Sequence, residues 1–295
     1  MTKSSQYLRN SIKLVLSLAV LSGSFCGCST STAPTYCKSS VEKSLKDILK
    51  DEYKSDVVTK LVGQTLWIYL PLEGIFVPSE KPEKYTERFQ IQENEGDVKG
   101  NQLSIAYLVK AVPEKKKTQE YRISKAAVEK INNVWIALRR IIFSMDKKTR
   151  SEIKFYYLVA ADIKNSFEIT ELLYYEDLIK VSYRFISVTE YQHRVSYNTS
   201  LSLKIIGDKQ GKHLDFRDIS WEDFLVTQIK HRISLKFGKP EVEQSADIDK
   251  EISKIIADTL MIYGAKGIET VKLSNLYNNK NIIFNPSDFS SKIRN

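Results

Sequence analysis

Histidine, cysteine, methionine and tryptophan are scarce in this chain of 295 residues, with three of each. The histidines, His193, His213 and His231, fall in no His-Glu-x-x-His or Cys/His cluster, so the usual zinc-hydrolase signatures are missing. No Gly-x-Ser-x-Gly elbow occurs, which disfavours an α/β-hydrolase, and no Gly-x-Gly-x-x-Gly turn, which removes the dinucleotide-binding fingerprint. Gly207-Asp208-Lys209-Gln210-Gly211-Lys212 has the glycines and lysine of a phosphate loop. It is one residue short between the glycines, and His213 stands where Ser or Thr is required. It reads as a hairpin turn. Nothing in the chain implies a cofactor or a bound metal.

What is present is a foldable body. Apolar residues make up 42% and aromatic residues 11%, too much for a disordered chain. The net charge is +9, and it falls to +6 without Lys3, Arg9 and Lys13. A modest basic excess suits a solvated surface or anionic envelope polymers and lipids. Nucleic acid is not an expected partner of an exported protein, and the amino terminus points to export.

That terminus reads in three blocks. Lys3, Arg9 and Lys13 form a cationic start, Leu14 to Leu21 an apolar core, and Ser22 to Gly27 a small, turn-prone end. The order is that of an export signal. Leu14 to Phe25 is shorter than the ~20 apolar residues of an ordinary span. An uncut anchor helix is the alternative. Phe25-Cys26-Gly27-Cys28 resembles the lipobox of bacterial lipoproteins, with Gly27 and Cys28 at its two most informative positions. The resemblance covers residues 1–28 and implies cleavage after Gly27 and acylation of Cys28. Two or three acyl chains would give durable anchoring in the cell membrane or the outer membrane, facing the periplasm or exterior. Ser29 after the acylated cysteine would favour the outer membrane in a two-membrane cell. Cys37 is then the one thiol left, so the mature chain has no internal disulfide.

Past the signal (1–27), Ser, Thr and Pro over 28–40 read as a flexible tether. Region 41–165 reads as an α+β domain with an antiparallel or mixed sheet and helices packed on one face. Region 166–295 reads as a more helical half with hairpins, packed with the first as one body or separate from it. Val41, Leu45, Ile48 and Leu49 give an amphipathic helix, and Gly63-Gln64 a tight turn between strands at 57–62 and 65–70, the second ended by Pro71; the alternative is a first helix that continues through Val62. The prolines and charges of 78–87 and 113–119 predict loops. A helix is expected over 124–144, with Val128, Ile131, Val134, Trp135, Leu138, Ile141 and Ile142 as its stripe, and a central strand over 153–163. Helical spacing over 169–185 predicts another helix, with a strand near 179–186 as the alternative, and Ser187 and Ser220 look like helix caps. Segments 201–206 and 213–216 are expected to pair over the 207–211 turn. A helix over 247–263 and a closing hairpin at 271–276 and 281–284 complete the reading.

Candidate chemistry is thin. Glu171, Glu176 and Asp177 beside several tyrosines could line a sugar cleft, although glycosidase work needs two carboxylates held ~5–9 Å apart. Trp67 and Tyr69 alternate with Leu66, Ile68 and Leu70, so they share one face of a strand. They belong to the core or, on an open face, form a contact surface for sugar or protein. The three histidines read as isolated surface residues. The leading expectation is a non-catalytic, lipid-anchored envelope protein acting through protein contacts. Binding of a solute, glycan or lipid comes second and an exported hydrolase third.

Overall fold

The computed structural model describes residues 36–92, 95–238, 242–245 and 247–290. Cys28 and Gly27, with the rest of the signal region and most of the tether, lie outside them. From Tyr36 the chain is already docked: Tyr36 bridges to Met145, and Lys38 pairs with Glu152 at 3.3 Å.

In chain order the elements are α1 (Val41–Tyr53), β1 (Val58–Val62), β2 (Thr65–Leu72), β3 (Phe76–Gln92), β4 (Gly96–Lys99) and β5 (Gln102–Ile123). Next come α2 (Lys125–Phe143), α3 (Lys147–Glu152), β6 (Phe155–Asp162), β7 (Phe167–Tyr174), α4 (Tyr175–Ser182), α5 (Val188–Arg194) and β8 (Ser196–Leu201). The chain closes with α6 (Trp221–Phe237), α7 (Ile248–Ile262), β9 (Thr270–Asn275), β10 (Lys280–Phe284) and α8 (Ser287–Ser290).

Two mixed sheets result. The first has order β1-β2-β6-β7-β8, parallel only between β2 and β6. The second has order β10-β9-β5-β3, parallel only between β5 and β9, with β4 also paired to β5. This corrects the expectation of one sheet with helices on one face and a more helical second half. Helices are spread through the chain, and strands from beyond residue 166 build both sheets. The β6–β7 hairpin runs straight through the expected 165/166 boundary, and residues from Tyr36 onward form one compact unit.

The first sheet is buried on both faces. Leu66, Ile68, Leu70, Tyr156, Leu158 and Leu173 pack against α1 and α2. Trp67, Tyr69, Phe155, Val159, Ala161 and Leu172 face the other core, shared with α6, α7 and Leu103, Ile105, Tyr107 and Val109 of the second sheet. Helix α6 lies against β3, β4 and β8, and Phe224, Leu225, Val226, Ile229, Ile233 and Phe237 are all buried. A helix apolar over most of its circumference belongs in such an interior position. Ser220 Oγ accepts from Asp223 N–H at 2.9 Å and starts it, as its sequence signature implies.

Several expectations give way for identifiable reasons. Region 167–174 is a strand, because Ile169 and Leu173 face one core and Leu172 the other. A strand buried on both sides loses its alternation, and the 169/172/173 spacing then imitates a helix. The predicted loops at 78–87 and 113–119 are the middle of a long exposed ribbon of β3 and β5. Its register shifts fall at Pro82 and opposite Pro113, where a missing donor interrupts least. Lys117–Glu87 (2.6 Å), Arg88–Glu114 (2.9 Å) and Arg122–Glu80 (3.2 Å) clamp it. Pro71 does not end β2, which continues to Leu72; β1 has already stopped at the Val58–Tyr69 pair, leaving that edge open. In α2 the small Ala127 and Ala137 are buried, whereas Val128 is exposed. The 201–216 hairpin is absent: after β8 comes a 3-10 turn at Leu203–Ile205 and an irregular loop.

Candidate functional site

The inner face of the first sheet carries a row of residues at its β8 edge. Register places Tyr157, Leu172 and Ser196 side by side across β6, β7 and β8, with Thr170 opposite Asn198 one pleat further on. Helix α6 passes over this row with Thr227, Lys230, His231 and Ser234, a polar stripe at helical spacing. Ile91 and Gln92 at the end of β3 close the far side. The result is a cleft of 320 Å³, at the lower end of the ~300–1,000 Å³ common for small-molecule sites.

Its apolar part is Leu172, Ile91 and the Tyr157 ring, which stacks on Trp67 with ring centres 4.2 Å apart. Burial raises the proton affinity of the Tyr157 hydroxyl, so it stays a neutral donor and acceptor. The polar part is hydroxyls, amides and one ammonium group, that of Lys230. No carboxylate lines the cleft among the described residues.

His231 is the most constrained member. The Tyr197 N–H, on the β8 edge, points at its Nδ1 at 3.5 Å. Burial first, then the positive Arg232 and nearby His193, push its pKa down to about 4, so the ring is neutral near pH 7. With Nδ1 accepting, the ring proton sits on Nε2. That nitrogen is buried and has no hydrogen-bond partner in the protein. A buried N–H left unpaired costs ~1–3 kcal/mol.

Behind the cleft, a buried network fixes α6 against β8. Gln228 Nε2 donates to Ser196 Oγ (2.7 Å) and to the Arg194 carbonyl (2.8 Å). Arg194 pairs with Asp177 (2.8 Å) and Glu190 (2.8 Å), and the Tyr263 hydroxyl reaches Asp177 Oδ2 at 3.1 Å. The Ser196 wall of the cleft is thereby tied to α4, α5 and α7.

The residues singled out from sequence lie elsewhere. Trp67 and Tyr69 are 7% and 0% exposed, so they belong to the core and offer no open platform. Trp67 Nε1–H donates to the Arg217 carbonyl at 2.7 Å, and the Tyr69 hydroxyl donates to the Asp208 carbonyl. Glu171, Glu176 and Asp177 are not brought together. Glu171 accepts from Trp135 Nε1–H of α2 (2.6 Å), Glu176 lies 3.9 Å from Lys180, and Asp177 holds Arg194. Cys37 is exposed, its thiol hydrogen-bonded with Ser39 and Ser40.

The His213 side chain is 8% exposed, contrary to its reading as a surface residue. Its Nδ1 faces Asp208 Oδ2 at 2.7 Å and its Nε2 faces Glu168 Oε2 at 3.2 Å. The two carboxylates flank opposite ring nitrogens and do not converge on one point; among the described residues no cluster could hold a metal ion. In the phosphate-loop-like segment, Asp208 itself accepts the Gln210 and His213 N–H groups (2.9 and 3.1 Å). Two of the loop's donors are thereby filled from within.

The cleft residues were missed from sequence, although Thr227, Lys230, His231 and Ser234 break the apolar surface of α6 at i, i+3, i+4 and i+7. That stripe is the one signal that could have found the site. Comparison with known protein families, characterised proteins and solved structures finds no match to this chain. What the cleft can do therefore rests on its own chemistry; among the described residues, no carboxylate pair lines it.

Proposed function

We propose that this chain is a lipid-tethered cell-envelope protein whose body binds a small polar solute, without transforming it, in the cleft between β6–β8 and α6. The lipobox-like Phe25-Cys26-Gly27-Cys28 supports the tether. No helix among the described residues is long and apolar enough to cross a membrane. The observation that carries solute binding is the polar stripe of Thr227, Lys230 and Ser234 facing Leu172, Ile91 and Tyr157 across a cleft of 320 Å³. The test is mass spectrometry of small molecules released from the detergent-solubilised protein, compared with a Thr170→Trp variant that fills the floor. A solute retained by the wild type and lost from the variant supports the reading. Equal content in both sinks it.

A second reading, action through protein contacts, is favoured by one feature. Leu201, Leu203 and Ile206, at the end of edge strand β8 and just after it, are 67%, 81% and 55% exposed. Covalent cross-linking in intact cells from position 203 would capture a partner if this edge is an interface.

A further inference from the structure

Resting on the lipid-tether reading, we infer that the face made by α3 and the turn at 183–188 lies against an anionic bilayer surface. Lys147, Lys148 and Arg184 meet the headgroups there, and Tyr183 and Phe185 enter the layer just beneath them.

The length of the tether limits which faces can reach the membrane. Cys28 stands eight residues before Tyr36, so the linking chain spans at most ~28 Å. The compact unit that begins at Tyr36 is roughly 45 Å across at its length. Its far side therefore cannot turn to the bilayer, and the surface around Tyr36 is the part held near it.

Helix α3 belongs to that surface. Tyr36 bridges to Met145, two residues before α3, and α3 packs against the 38–40 turn. The 183–188 turn joins it through ring contacts. The Arg150 guanidinium of α3 lies over the Phe143 ring at 5.8 Å, Phe143 meets Tyr183 edge-on at 6.2 Å, and Tyr183 lies 6.5 Å from Phe185.

Charge and polarity on this face match a lipid surface. Lys147, Lys148 and Arg184 are exposed and make no ion pair among the described residues. The nearby carboxylates are engaged: Asp146 accepts Thr149 N–H at 2.9 Å, Glu152 meets Lys38 at 3.3 Å, and Glu176 meets Lys180 at 3.9 Å. With Arg150, six cations stand against three carboxylates, an excess that anionic headgroups attract. Tyr183, Phe185 and Val188 are 60%, 77% and 64% exposed. The turn does not need their side chains, because its backbone holds it: Arg184 N–H donates to the Val181 carbonyl (3.1 Å) and Phe185 N–H to that of Lys180 (2.8 Å). Exposed aromatic rings beside cations suit the membrane–water interface. A second exposed apolar group, Leu201, Leu203 and Ile206, lies at the other end of the first sheet. Leu201 pairs with Phe167, whereas α3 leads into Phe155 opposite Tyr174; those ends are ~23 Å apart along β7.

The test uses the intact lipoprotein, purified in detergent and returned to vesicles whose acyl chains are brominated near the headgroup. The vesicles are phosphatidylcholine alone or with about 30% phosphatidylglycerol. Bromine quenches an indole only on close approach. Phe185→Trp and, at the far end, Leu203→Trp each add one indole, and the wild type gives the background. These positions, like Lys147 and Lys148, are exposed, so the variants should melt with the wild type. In anionic vesicles the indole at position 185 is expected to be quenched at least about three-fold more than the one at 203. Lys147→Gln combined with Lys148→Gln should remove most of that excess, as should phosphatidylcholine alone. Equal quenching at the two positions, or quenching at 185 indifferent to the lysines and to lipid charge, overturns the inference. So does a position 185 that stays unquenched in vesicles but cross-links to a protein in intact cells. Intact mass of the same sample keeps the tether reading separate. Acyl chains on Cys28 with no quenching at 185 remove the docking face and leave the tether standing; an unmodified Cys28 removes both.

Discussion

Lowering the pH from about 7.5 to about 4.5 should cost the wild-type fold roughly 2–3 kcal/mol that a His231→Gln variant keeps. The folded ring has a pKa of about 4, against 6.5 for an unburied histidine. Between those values the unfolded chain takes up a proton that the folded chain refuses, so stability falls as pH falls. Each pH unit across that window is worth ~1.4 kcal/mol, and most of the window is crossed by about pH 4.5. Other groups titrate over the same range, including Glu171, whose buried carboxyl is held above the usual carboxylate range. Their contributions cancel when wild type and variant are compared at the same two pH values. Urea midpoints at both pH values give four stabilities and one difference of differences. A value near 2–3 kcal/mol supports a neutral, desolvated His231. A value near zero would mean that the ring is hydrated and its Nε2 partnered by water.

Three further outcomes follow from the packing. Glu171→Gln should be neutral or stabilising by up to about 1 kcal/mol near pH 7, because the amide oxygen still accepts from Trp135 and the desolvated charge is gone; a melting temperature lowered by several degrees would contradict this. The raised carboxyl pKa implies wild-type stability lost as pH rises above ordinary glutamate titration, and the variant should lack that slope. Asp177→Ala should cost about 2–4 kcal/mol by denaturant unfolding, since it leaves the buried Arg194 with Glu190 as its carboxylate partner and the Tyr263 hydroxyl without its acceptor; a loss under 1 kcal/mol would mean the pair is solvated. Gly63→Ala should cost about 2–4 kcal/mol. Its φ of +57° is left-handed, and a Cβ would sit 2.0 Å from Asp218 Oδ2, whose carboxylate holds Gln64 N–H and Thr65 Oγ1. Circular-dichroism melts would check it, an unchanged midpoint being the refuting result.

Legibility in the sequence divided along burial. Elements with one buried face were plain: Val41, Leu45, Ile48 and Leu49 of α1 are all buried as their spacing implies, and the β9–β10 hairpin and the Ser187 and Ser220 caps stand where they were expected. Where both faces are buried, as in β7, periodicity carries no secondary-structure signal. Where neither is, as in the β3–β5 ribbon, strand pairing rests on backbone bonds and charge pairs that composition reads as loop. The cleft depends on long-range placement. Lys230 and His231 acquire meaning only because α6 crosses β8, and that crossing is set by Gln228 reaching Ser196 and Arg194 from more than 30 positions away. Trp67 and Tyr69 were correctly placed on one strand face; that both faces of the sheet are covered could not be read from a single strand.

Native mass spectrometry of the chain released from its own host's membranes tests the account most directly. The expected species begins at Cys28, carries the mass of its acyl chains, and holds a small noncovalent adduct that acid denaturation removes and Thr170→Trp abolishes. A chain that keeps Met1 or an unmodified Cys28, and flies without any adduct, would contradict it.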